Sequence, residues 1–121
     1  MTYRKNIDSY YSNLLDNLKF NVPEFCTECD SDEQYAFLYE FGIFLIDNYK
    51  NDSVLANCSK FIDEALEKGT SITEEAIALQ VFQQIYDNNE IISSLKRKLS
   101  LQSATVFDYY FIQFNKSFPM R

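Results

Sequence analysis

Apolar residues recur at three- and four-residue spacing along nearly all of this 121-residue chain, and no segment alternates with the period of two that a half-buried strand needs. With only two glycines and two prolines there are few places to break a helix. The chain is therefore expected to be all-α. It reads as about six antiparallel helices of unequal length in a single domain over residues 1–121, packed as one bundle or as a short solenoid-like array. Hydrophobic residues make up 46% of it, including 11 Phe and 9 Tyr, which is enough apolar surface for a folded core without a metal or disulfide.

The first helix is expected from Asp8, whose carboxylate can cap it, to Phe20, with Tyr11, Leu14, Leu15 and Leu18 inward and Val22-Pro23 ending it. A polar connector, Glu24 to Asp32, follows. The second helix is expected from Ser31, which forms a capping box with Gln34, to Tyr49, as the central and most buried element. A third, capped by Asp52 or Ser53, should reach Lys68 and end at Gly69 in left-handed geometry. A fourth begins near Ser71 or Thr73 and turns Ile77, Val81, Phe82, Ile85 and Tyr86 inward, and a fifth spans Glu90 to Leu99. The last segment, Leu101 to Phe118, has high strand propensity but also a helical face of Phe107, Tyr110, Phe111 and Phe114, and no partner strand exists for it.

Charge narrows the function. The net charge is -7, and all of it lies between Lys19 and Lys50, where Glu24, Glu28, Asp30, Asp32, Glu33, Glu40 and Asp47 are accompanied by no Lys or Arg. The remainder of the chain is balanced. Such a surface repels nucleic acid and suits a basic protein partner. Acids are also common on any solvated helix, and that simpler reading stands beside it. Tyr35, Tyr39 and Tyr49 lie on or beside the acidic second helix, where rings can anchor a partner while carboxylates steer it. The same rings also suit the edge of a core, with their hydroxyls in water.

Chemistry is scarce in this composition. Without histidine the usual general base and commonest metal ligand are missing, and two glycines cannot build a phosphate-cradling loop. Cys26 and Cys29 have the spacing of half a zinc site or a dithiol redox pair, but only Cys58 remains to complete a metal shell and no βαβ context surrounds them. They are read as two thiols in a polar connector. Adjacent carboxylates such as Glu74-Glu75 diverge on a helix and read as solvated. Lys96-Arg97-Lys98 is read as the favourable charge at a helix carboxyl end rather than as a phosphate contact. The expectation is a non-enzyme with no catalytic residue, cofactor or metal. No secretory leader or membrane-length apolar run is apparent, and three cysteines suit a reducing compartment, so a cytoplasmic location without membrane contact is expected.

The run Val22-Pro23-Glu24-Phe25, then Phe41-Gly42-Ile43-Phe44-Leu45, Phe61-Ile62-Asp63-Glu64-Ala65-Leu66, Val81-Phe82-Gln83-Gln84-Ile85-Tyr86 and an aromatic-rich last helix resembles a family of small helical bacterial immunity proteins of polymorphic or contact-dependent growth-inhibition toxin systems. The similarity spans about Val22 to Phe118 as a pattern of apolar positions and loop lengths. It departs at Tyr109, Tyr110 and Phe111, where more polar residues would be expected. The resemblance implies an immunity protein that binds and neutralises a cognate toxin domain. Acidity fits best a nuclease, which must present cations to phosphate. Contact residues would be Glu24, Glu28, Asp30, Asp32, Glu33, Tyr35, Tyr39, Glu40 and Asp47. The alternative is a helical adaptor or regulatory subunit without catalytic activity.

Overall fold

A computed structural model describes residues 8–117, and all regular structure in that range is helical. The expected end of the last helix at Phe118, and the basic residues Arg4 and Lys5, lie outside the described residues. Helices α1 (Ser9–Ser12) and α2 (Leu14–Asn21) are followed by an irregular connector, then by α3 (Gln34–Asn48) and α4 (Asp52–Lys68). Next come α5 (Ser71–Ile77), a π-helical turn (Ala78–Phe82) and α6 (Gln83–Ile85), which run on without a break, and finally α7 (Asn89–Lys96) and α8 (Leu101–Ser117). The six expected helices are present, two of them interrupted: the first at Asn13 and the fourth by the π turn.

One apolar core joins these elements, from Tyr10 in α1 to Phe107 in α8. Helix α3 packs against α2, α4, α5, the π turn and α6. It is the central element by its contacts, although α4 turns more side chains inward, Val54, Leu55, Cys58, Ser59, Phe61, Ile62, Ala65 and Leu66 among them. Edge-on ring contacts run through the middle: Phe41 meets Phe61 at 5.3 Å and Phe25 at 5.8 Å between centroids. A second aromatic group, Phe82, Tyr86, Phe107 and Phe111, locks α8 onto the fourth helix, and the buried Tyr86 hydroxyl donates to the Phe107 carbonyl at 2.9 Å. Strand propensity in α8 is thus overridden by a helical stripe that has an aromatic wall to pack on.

The helix starts differ from the expected caps. Ser31 does not cap α3. The chain turns between Asp30 and Glu33, so that Glu33 takes the capping position, and its own carboxylate turns back to accept the Asp30 N–H at 2.6 Å. Gln34, freed from a capping box, donates to the Tyr11 carbonyl at 3.3 Å. Asn51 rather than Asp52 or Ser53 caps α4, accepting from Val54 N–H at 3.3 Å. The fifth helix ends at Lys96 instead of Leu99 because Lys98 N–H reaches back to Leu95 in a tighter turn. Gly69 is extended, with φ of -83°, rather than left-handed. Its value is close approach: a Cβ there would stand 2.7 Å from Thr73 Oγ1 and 2.8 Å from the Ala65 carbonyl.

That close approach serves Asp8. One carboxylate oxygen caps α1, accepting from Tyr11 N–H at 2.9 Å. The other caps α5 across the molecule, accepting from Thr70 N–H and Oγ1 at 2.8 and 2.7 Å and from Thr73 N–H and Oγ1 at 3.2 and 2.6 Å. Asp8 is buried, and burial alone would raise its pKa; the bonds from Thr73, Tyr11 and Thr70 outweigh this and lower it to about 2. An asparagine at this position keeps one acceptor but points an NH₂ group at donors. Asp8→Asn is expected to lose about 2 kcal/mol at neutral pH. Because the folded pKa lies below the ordinary 3.8, the stabilisation is complete above that value and is lost as pH falls through it toward 2. Urea unfolding between pH 7 and pH 2 should therefore show a steeper acid loss for the native chain than for Asp8→Asn; identical slopes would contradict this assignment.

Candidate partner-binding surface

The acidic stretch is held on the body of the protein by apolar anchors at its start. Val22 and Phe25 are buried, and the Phe25 ring meets Phe44 edge-on at 5.5 Å as well as Phe41. Each such ring pair is worth about 1 kcal/mol beyond the area it buries. Polar ties then fix the loop. Asn57 of α4 donates to both carboxylate oxygens of Glu24 at 3.2 and 3.3 Å, and Thr27 Oγ1 donates to Glu40 of α3 at 2.6 Å. The connector has no regular structure, yet it is tied to two helices.

Every residue expected to contact a partner is exposed: Glu24, Glu28, Asp30, Asp32, Glu33, Tyr35, Tyr39, Glu40 and Asp47. Their engagement differs. Glu24, Glu33 and Glu40 each accept a hydrogen bond within the protein, which leaves Glu28, Asp30, Asp32 and Asp47 as carboxylates without a hydrogen-bond or ion-pair partner among the described residues. Tyr35 does not join the inward stripe with Leu38, Phe41 and Leu45; it is 43% exposed and sits beside Tyr11. Tyr11 is half-buried, and burial, together with Tyr35 and Asp8 nearby, holds its hydroxyl above the ordinary range.

Helix α3 also shows a surface that charge reasoning overlooks. Residues 100° apart around the axis place Ala36, Tyr39 and Ile43 on the side opposite Phe37, Phe41 and Leu45. Tyr39 is 51% exposed and Ile43 is 40% exposed, with the half-buried Ile46 one turn on. Glu33, Glu40 and Asp47, seven residues apart, run along the neighbouring edge. The result is an outward apolar stripe flanked by carboxylates. The signal was present in the sequence: from Tyr35 to Ile46 only Glu40 is charged, so a helix packed on one side must show apolar residues on the other. On its inner side α3 is pinned at Gly42, where the Gln84 side chain lies across the missing Cβ and donates to the Tyr39 carbonyl at 3.0 Å and to the Gln80 carbonyl, on the π turn, at 2.7 Å.

Several of the tyrosines do not serve this surface. Tyr10, Tyr49 and Tyr110 donate to Glu64, Glu90 and Glu74 at 3.0, 2.6 and 2.8 Å, joining distant helices. Asp63 likewise accepts from Ser100 N–H at the start of α8 at 3.0 Å. The acids of α4 and α5 are thus partly consumed as internal fastenings, while those of the connector and α3 face outward.

No group of three or more metal-ligating side chains occurs among the described residues. Cys29 Sγ lies 3.4 Å from Glu40 Oε2 and Cys26 is exposed. The Thr27 hydrogen bond favours the Cys29 thiolate, but desolvation and the carboxylates of Glu40 and Glu33 outweigh it and raise the thiol pKa. That environment opposes nucleophilic or redox use. Compared with known proteins, the chain matches no family model, no curated protein and no solved structure.

The three thiols are expected to react in sequence. Cys26 should titrate fast with a thiol reagent and Cys29 slowly. Cys58, fully buried and pushed up to about 12 by burial and by the Glu24 charge, should react only after unfolding. Three equally fast thiols in native buffer would show that the connector is not held as described.

Proposed function

We propose that this chain is an immunity protein that binds a cognate bacterial toxin domain and neutralises it, using the connector before α3 and the outer face of α3. The observation that carries the reading is the exposed stripe of Tyr35, Tyr39 and Ile43 beside Glu28, Asp32, Glu33, Glu40 and Asp47 in a stretch with no Lys or Arg. Rings and aliphatic side chains supply desolvated anchors, and a single-sign edge raises the rate of encounter with a basic partner. The sequence resemblance to bacterial immunity proteins supports the same reading. A nuclease fits best as the target, since its substrate-binding cleft must be cationic and carboxylates can occupy it or an adjacent site. This assignment places the protein in the cytoplasm, where an incoming toxin would act.

Co-expression with the product of the neighbouring gene tests it, by complex formation, toxicity of that product alone and rescue of growth. Reversing Glu28, Asp30 and Asp32 to Lys together is expected to slow association at low salt by about tenfold or more, with the melting temperature nearly unchanged. Tyr39→Ala should instead speed dissociation, costing about 2 kcal/mol of affinity. Unchanged association at low salt in the triple variant would remove this surface from the interface. A tight complex with a partner that has no toxicity would favour the adaptor reading.

A further inference from the structure

The fold divides the basic triplet at the end of α7. Lys96 Nζ lies 2.7 Å from Asp108 of α8, and Lys98 Nζ lies 2.8 Å from Asp52 at the start of α4. In each pair the carboxylate is exposed and the lysine half-buried, and each is worth at most about 1 kcal/mol. Among the described residues the Arg97 side chain, between them, meets the Ser94 hydroxyl alone, at 3.5 Å. It faces a cleft of about 450 Å³ formed where the end of α3, the first turn of α4 and the end of α7 meet.

This concavity differs from the rest of an acidic protein. Lys50, Arg97 and Lys98 line it, with the Ser94 hydroxyl and the Leu55 side chain. Its two carboxylates are already engaged: Asp52 holds Lys98, and Glu90 accepts the Tyr49 hydroxyl at 2.6 Å. Lys50 Nζ stands 5.9 Å from the centre of the Tyr49 ring and, like Arg97, has no carboxylate partner among the described residues. Three cations and two carboxylates therefore line one cleft, which leaves it locally positive on a protein whose net charge is -7. The amino end of the 17-residue helix α4 adds positive potential at the same place.

We propose that this cleft binds a phosphate-class oxyanion, with the Arg97 guanidinium as the paired N–H donor, Lys50 and Lys98 as charge partners and Ser94 as a hydroxyl donor. The planar fork of arginine matches a tetrahedral oxyanion at two oxygens. A dianion is favoured over a carboxylate because it must compete with Asp52 for Lys98, and a second carboxylate has no advantage in charge over the one already there. Asp52 and Glu90 oppose such a ligand from within the cleft, but the three cations there outnumber them. This assignment does not depend on the toxin-binding reading.

The test is an NMR titration of the full chain at constant ionic strength, with inorganic phosphate, a nucleoside 5′-monophosphate and sodium chloride as separate arms. Phosphate is expected to give saturable shifts at the amides of Tyr49, Ser94 and Arg97 with a low-millimolar midpoint. The Lys50→Ala/Arg97→Ala variant should weaken this by about tenfold or more. Both side chains are exposed, so that variant should melt with the native chain, and Arg97→Gln alone provides a milder second variant. Tighter binding of the nucleoside monophosphate, with shifts extending to Leu55, would identify a small organic phosphate as the ligand; equal affinity would identify free phosphate. Shifts that do not saturate, that chloride reproduces, or that survive in both variants would overturn the proposal.

Discussion

Helix α3 carries apolar residues on every side but one carboxylate edge, and a helix packed on one side cannot bury them all. Most of what distinguishes this protein follows from how that excess is distributed. The inner side takes Phe37, Leu38, Phe41 and Leu45 into the core, and Gly42 lets the π turn and Gln84 come close enough to seal it. One flank is covered by Phe25, which brings the acidic connector down onto α3 through Phe41 and Phe44. What remains, Tyr39 and Ile43, faces out along a carboxylate edge. The core and the proposed binding face are two sides of the same helix.

The carboxylates divide in the same way. Asp8, Asp63, Glu64, Glu74 and Glu90 are internal fastenings, each taking a hydrogen bond from a residue distant in sequence. Among the acids between Lys19 and Lys50, Glu24 and Glu40 tie separate elements together, while the carboxylates of Glu28, Asp30, Asp32 and Asp47 have no partner among the described residues. A net charge of -7 concentrated on outward side chains carries a cost in self-repulsion, and the proposed binding of a basic partner would relieve it.

Helical architecture was legible because 3.6-residue periodicity is a long-range signal averaged over many positions, and Asp8 was legible as a cap because acceptors before a helix have few other roles. Boundaries were less so. Whether Ser31, Glu33 or Asp30 starts α3 depends on how the chain turns just before it, and a turn of three residues leaves several acceptors competing for the same N–H groups. The π turn has no sequence signature; it follows from fitting Gln80 and Gln84 against Gly42, a contact between residues about forty positions apart. Tyrosine content was ambiguous for the same reason. Tyr10, Tyr49 and Tyr110 resemble surface anchors until their distant glutamates are in place, whereas Tyr35 and Tyr39 keep that possibility because no carboxylate among the described residues takes their hydroxyls. Ile43 escaped notice because attention to charge passes over an aliphatic residue in an apolar run.

The most direct test of the central claim is a hydrogen-exchange footprint of the chain in complex with the toxin partner proposed for it. Helix α3 already protects its amides, so the informative sites are those of the connector from Glu24 to Glu33 and the first turn of α3. The account predicts that complex formation slows exchange there by tenfold or more, and that side-chain signals of Tyr35, Tyr39 and Ile43 shift. Protection confined to α7 and α8, with the connector and Tyr39 unchanged, would contradict it.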